Sequence, residues 1–67
     1  MSANVMTKLD RVQSILYHMV KRLYVQMRFD REKAAEIIEK LFENKIDVKS
    51  IQVRCAMLEY LAEIDED

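Results

Sequence analysis

The sequence predicts an all-α fold: a three-helix antiparallel bundle forming one small domain over residues 1–67. Three observations carry that prediction. Apolar residues recur at spacings of three and four along three separate runs. Gly and Pro are both absent, which removes the usual residues of tight hairpin turns and Gly-rich phosphate loops. At 67 residues, 51% hydrophobic and 34% charged, the chain is too apolar for a disordered tail and too charged for a membrane span.

Helix 1 is expected over about 4–28. Val5, Leu9, Val12, Leu16, Met19, Val20, Leu23 and Met27 fall within an arc of roughly 100°, the stripe of an amphipathic helix. Ile15 lies on one shoulder of the stripe, Tyr17 and Tyr24 on the other. Asp10, Arg11, Ser14, His18, Lys21, Arg22 and Arg28 take the opposite face. Asn4 or Thr7 can cap the start, and Thr7 has Asp10 three residues on as a capping-box partner.

Asp30 is a good N-cap for helix 2, about 31–44, and Glu32 complements the helix dipole. Ala34, Ala35, Ile37, Ile38, Leu41 and Phe42 form its apolar side, with Glu36, Glu39, Lys40 and Glu43 facing water. Asn44 is expected to end it in the left-handed conformation, since no Gly is at hand. Asp47 caps helix 3, about 48–64, with Ile46 and Ile51 placed for a hydrophobic staple. Helix 3 carries two apolar stripes roughly 150° apart on the helical repeat. Val48, Ile51, Cys55, Leu58 and Ala62 form one; Val53, Met57, Tyr60, Leu61 and Ile64 form the other.

Two of these features point to self-association. Helix 1 outruns its shorter neighbours, and a three-helix unit buries only one stripe of helix 3. A twofold homodimer resolves both, with Val53, Met57, Tyr60 and Ile64 expected in the interface. Tyr17 and Tyr24 suit its edge, ring covered and hydroxyl wet. Charge is polarised as well. Residues 1–33 carry seven basic and three acidic side chains, residues 34–67 four basic and nine acidic. The polarity suits complementarity between helices of one fold or between antiparallel subunits; in the sharper reading Arg11, Lys21, Arg22, Arg28 and Arg31 make a candidate docking face for an acidic partner or a phosphate backbone.

No constellation for catalysis stands out. The neighbours of His18 at helical spacing, Arg11, Ser14, Lys21 and Arg22, supply neither an orienting carboxylate nor a second metal ligand. Cys55 lies between Ile51 and Leu58 and reads as a small buried apolar residue. Glu36, Glu39 and Glu43 are interleaved with Lys40 and read as a solvated face. No cofactor, metal or catalytic residue is expected.

The sequence therefore predicts a non-catalytic protein–protein interaction module: a small dimeric helical adaptor, inhibitor or regulator. The alternative is a DNA-binding regulator using helices 2 and 3 as a helix-turn-helix, with Lys49, Ser50, Gln52 and Arg54 at the groove. The near balance of charge, 11 basic against 12 acidic side chains, argues against that alternative. No apolar run reaches the roughly 18 residues of a membrane span, and a cytoplasmic location is expected. The run from Val53 to Leu61, Val-Arg-Cys-Ala-Met-Leu-Glu-Tyr-Leu, resembles the last helix of small enterobacterial biofilm-regulator proteins, which are dimeric three-helix proteins. The likeness covers nine residues, and no function is carried over from it.

Overall fold

The structure, a computed structural model, describes residues 7–65. It contains three helices: α1 (Lys8–Gln26), α2 (Arg31–Leu41) and α3 (Val48–Glu63). Among the described residues there is no strand. The expected start of helix 1 at residues 4–6, with Asn4 and Val5, lies outside the described range.

The helix starts follow from their caps. The Thr7 hydroxyl accepts from the Asp10 amide at 3.1 Å, and the Asp10 carboxylate accepts in return from the Thr7 amide at 3.4 Å. That reciprocal capping box satisfies two backbone donors that the first turn leaves open. Asp30 accepts from the Lys33 amide and Asp47 from the Ser50 amide, each at 3.1 Å. The Ser50 hydroxyl also donates to Asp47, at 2.7 Å. Those bonds to the charged form lower the Asp47 carboxyl below its ordinary value of 3.8. The staple expected between Ile46 and Ile51 does not close, because Ile46 is 88% exposed.

Both connections end differently from the expectation. α1 stops at Gln26 rather than 28. The Arg28 amide donates to the Val25 carbonyl and the Phe29 amide to the Tyr24 carbonyl, each at 2.9 Å. This is the paired bonding of a Schellman motif. Arg28 (φ 56°) and Phe29 (φ 64°) both adopt the left-handed region that Gly normally fills. The Phe29 ring meets Tyr24 edge-on at 5.5 Å, the apolar contact that accompanies this motif. α2 stops at Leu41, three residues early. Phe42, Glu43 and Lys45 donate to Glu39, Lys40 and Phe42 in successive three-residue turns. Tightening of the last turn thus satisfies the open carbonyls. Asn44 is not among the described residues with positive φ.

The core is small. Val20 and Tyr24 of α1, Ala34 and Ile38 of α2, Met57 and Leu61 of α3, and Ile64 just beyond it are buried together. α3 packs against both other helices, while α1 and α2 share the smallest of the three contacts. Met57 and Ile64 are 3% and 2% exposed and Val53 and Tyr60 are partly buried against the same cluster. The stripe expected in a dimer interface therefore faces the core of its own chain. The other stripe is the outer one, with Val48, Ile51, Cys55 and Ala62 exposed. Size explains the choice: Val53, Met57, Tyr60, Leu61 and Ile64 together carry more apolar area than Val48, Ile51, Cys55, Leu58 and Ala62.

Candidate functional site

The surface to be explained is apolar. Among the described residues, ten large apolar side chains are exposed and only seven residues form the buried core. Scattered exposed apolar residues are ordinary in a monomer. Here seven of the ten fall into two patches set by helix geometry.

The first patch lies on α1. Leu9, Val12, Ile15 and Met19 are 65%, 45%, 59% and 53% exposed. At 100° per residue, Val12, Ile15 and Met19 point roughly 130° away from the buried Val20 and Tyr24. Leu16 and Leu23 sit between the two directions, half-buried against the core. Further along the helix, Ile15, His18, Met19, Lys21, Arg22 and Val25 line a shallow depression that is apolar on one side and basic on the other. The exposed His18 and the basic residues Lys21 and Arg22 thus border apolar surface rather than a polar face alone.

The second patch lies on the outer side of α3. Val48 and Ile51 are exposed with Cys55 and Ala62. A shallow groove between α2 and α3, lined by Arg31, Glu32, Ala35, Leu58, Leu61 and Ala62, adjoins it. Cys55, expected to be buried, is an exposed free thiol. The reason is the same exchange of stripes: the helix turned its larger apolar side inward and carried Cys55 out with the smaller one.

The structure divides the expected basic docking face. Arg11, Lys21, Arg22 and Arg28 are exposed. Arg31 is not part of a free face. Its guanidinium lies over the Tyr24 ring, 5.0 Å from the centroid, and donates to the carbonyls of Leu61 and Ile64 at the end of α3. A cation on the last carbonyls of a helix satisfies open acceptors and complements the negative end of the dipole. Arg31 is therefore a clamp joining all three helices. Sequence reasoning missed it because its acceptors lie 30 and 33 residues away along the chain.

The two tyrosines expected at an interface edge also have structural places. Tyr24 is 1% exposed, in the centre of the core. Tyr17 is half-buried, with its ring edge-on to Tyr60 at 6.0 Å and to His18 at 5.8 Å.

Of the side chains that a helix-turn-helix would present, Lys49 and Gln52 are exposed. Ser50 is bonded to Asp47, and Arg54 donates to Glu39 at 2.9 Å. That ion pair, with side chains 35% and 52% exposed, raises the Arg54 pKa further above its usual value. Surface pairs of this kind add little stability. Glu36, Glu39 and Glu43 are exposed, and no group of three or more His, Cys, Asp or Glu among the described residues is placed to hold a metal ion. No helix of the described residues is long and apolar enough to cross a membrane.

No family model, curated protein or solved structure matches this chain.

Proposed function

We propose that this chain is a non-catalytic protein–protein interaction module, a self-associating adaptor, inhibitor or regulator of the cytoplasm that works through its helix faces. The observation that carries the reading is the excess of exposed over buried apolar side chains.

The antiparallel course of the helices belongs to the same proposal. It is supported by Arg31, which at the start of α2 reaches both Tyr24 near the end of α1 and the carbonyls at the end of α3. An up-down-up path brings those three ends together. The exposed thiol of Cys55 suits a reducing compartment. The DNA-binding alternative has less support, because Ser50 and Arg54, two of its four reading side chains, are already engaged.

Sedimentation equilibrium tests the reading. The expected result is self-association at about 100 µM, with a melting temperature that rises with protein concentration because association is linked to folding. A monomer with a concentration-independent melt, retained on duplex DNA in a salt-dependent way, would instead favour the nucleic-acid reading.

A further inference from the structure

We propose that the α1–α2 junction is a two-state hinge, which straightens into one continuous helix over 8–41 and exchanges α1 between two copies of the chain. This exchange is a route to the self-association proposed above and rests on that reading. Two independent observations carry it. The first is strain. Arg28 (φ 56°) and Phe29 (φ 64°) stand side by side in the left-handed region, where a Cβ crowds the following carbonyl. No Gly or Pro lies between the helices to stop the first one.

The second is phase. Val20, Tyr24, Met27, Arg31, Ala34 and Ile38 follow one another at spacings of four, three, four, three and four, and each is buried or half-buried. On an uninterrupted helix all of them share one face, an arc of roughly 80°. The heptad rhythm thus runs straight through the break. The connection from α2 to α3 has neither property. No described residue from 42 to 47 has positive φ. The inward side of α3, at Val53, Met57, Tyr60, Leu61 and Ile64, is turned roughly 100° from that of α2 on a continuous repeat.

Straightening conserves backbone bonding. The Arg28, Phe29 and Asp30 amides donate to Val25, Tyr24 and Met27 in the bend, and to Tyr24, Val25 and Gln26 in a continuous helix. Phe29, already 52% exposed, gives up its edge contact with Tyr24. What the open chain loses is the seat of α1 on its own α2 and α3, and a second copy offers the identical seat. Val20 and Tyr24 of one chain then pack on Ala34, Ile38, Met57 and Leu61 of the other, and Arg31 meets the other chain's Tyr24 ring. The core is rebuilt between chains, so the occupant needs no complementarity beyond what the closed chain already has. Short, strained connections favour such exchange.

Two hinge variants should move the dimer in opposite directions in sedimentation equilibrium. Arg28→Gly relaxes the bend and weakens the continuous helix, so it should loosen the dimer by about tenfold or more. Asp30→Ala removes a cap that only the bent form uses, and should tighten the dimer by about tenfold or more. Topology is read in a Cys55→Ser chain carrying Tyr17→Cys and Tyr60→Cys, whose native rings lie 6.0 Å apart between α1 and α3. With a short bis-maleimide, its dimer fraction should link between chains and its monomer fraction within the chain. Should that variant fail to fold, the opposite shifts of the hinge variants decide. A dimer that ignores both hinge substitutions, or links only within chains, would leave self-association standing and overturn the exchange. A wild-type monomer at about 100 µM would overturn self-association. If Asp30→Ala is then monomeric too, the hinge falls with it; a dimer of that variant linked between chains would uphold the hinge alone.

Discussion

The two halves of α1 carry the same apolar rhythm and meet opposite fates. From Val20 to Met27 the stripe is buried or half-buried at Val20, Leu23, Tyr24 and Met27. This half is locked at its end by the Schellman bonds and by Arg31 over Tyr24. From Lys8 to Met19 the same spacing leaves Leu9, Val12, Ile15 and Met19 in solvent. The difference teaches that an amphipathic pattern states what a helix is able to bury. What it does bury depends on where its neighbours sit: Val12, Ile15 and Met19 point away from them, while Leu16 and Tyr17 in the same half are half-buried against the core.

The strongest test of this contrast is Tyr24→Ala. It removes a fully buried ring together with its edge contact to Phe29 and the stack under Arg31. A loss of about 3–5 kcal/mol is expected, as for other large aromatic deletions from cores, measured by urea unfolding. A loss below about 1 kcal/mol would mean that the C-terminal half is no more firmly held than the N-terminal half. Arg31→Ala comes next. It strips two charge-assisted hydrogen bonds from the last carbonyls of α3, and about 1.5–3 kcal/mol should be lost. Arg31→Lys should recover only part of this, because an ammonium cannot reproduce a planar fork that also stacks on a ring.

Arg28→Gly should move stability the other way, raising it by about 0.5–1 kcal/mol. It relieves the left-handed penalty at φ 56°, partly offset by the freer unfolded chain. A thermal melt reads the gain, and a loss would show that the Arg28 side chain holds the junction by some other contact. Thr7→Ala probes the open half. An N-cap normally contributes about 1 kcal/mol. At the end of a projecting segment the effect on global unfolding should be below about 0.5 kcal/mol, because that segment opens locally before the core does. Amide exchange should nevertheless accelerate over residues 8–15.

The smallest effect is expected at the start of α3, which like the open half of α1 stands outside the core. The Asp47 pKa is lowered in the folded chain. Its contribution is therefore fully present above the unfolded value near 3.8 and disappears as pH falls through the lower folded value. Asp47→Asn retains a good cap but no titrating group. Stability at neutral pH should change little, while the loss on acidification below about pH 4 becomes shallower than in the wild type. Equal acid sensitivity in the two chains would assign the transition to other carboxylates.

Within one chain the sequence was enough to determine the number of helices, their order and the starts of α2 and α3; for α1 it offered Asn4 or Thr7 as the cap, and Thr7 caps the helix. Thr7, Asp30 and Asp47 act through hydrogen bonds three residues away, and that reach is local enough to read directly. The amphipathic character of α1 and α2 was legible for the same reason: helical periodicity is a property of neighbouring residues. The ends were less legible. Without Gly, the turn at Arg28–Phe29 relies on residues that rarely accept positive φ, and α2 closes by tightening before it reaches Asn44. Only the tertiary structure decided which stripe of α3 faces inward, that Tyr24 lies at the centre, that Arg31 clamps rather than docks, and that Cys55 is exposed. Each of those outcomes depends on comparing the area buried by competing arrangements, or on a partner some 30 residues distant, and neither quantity is written in local spacing.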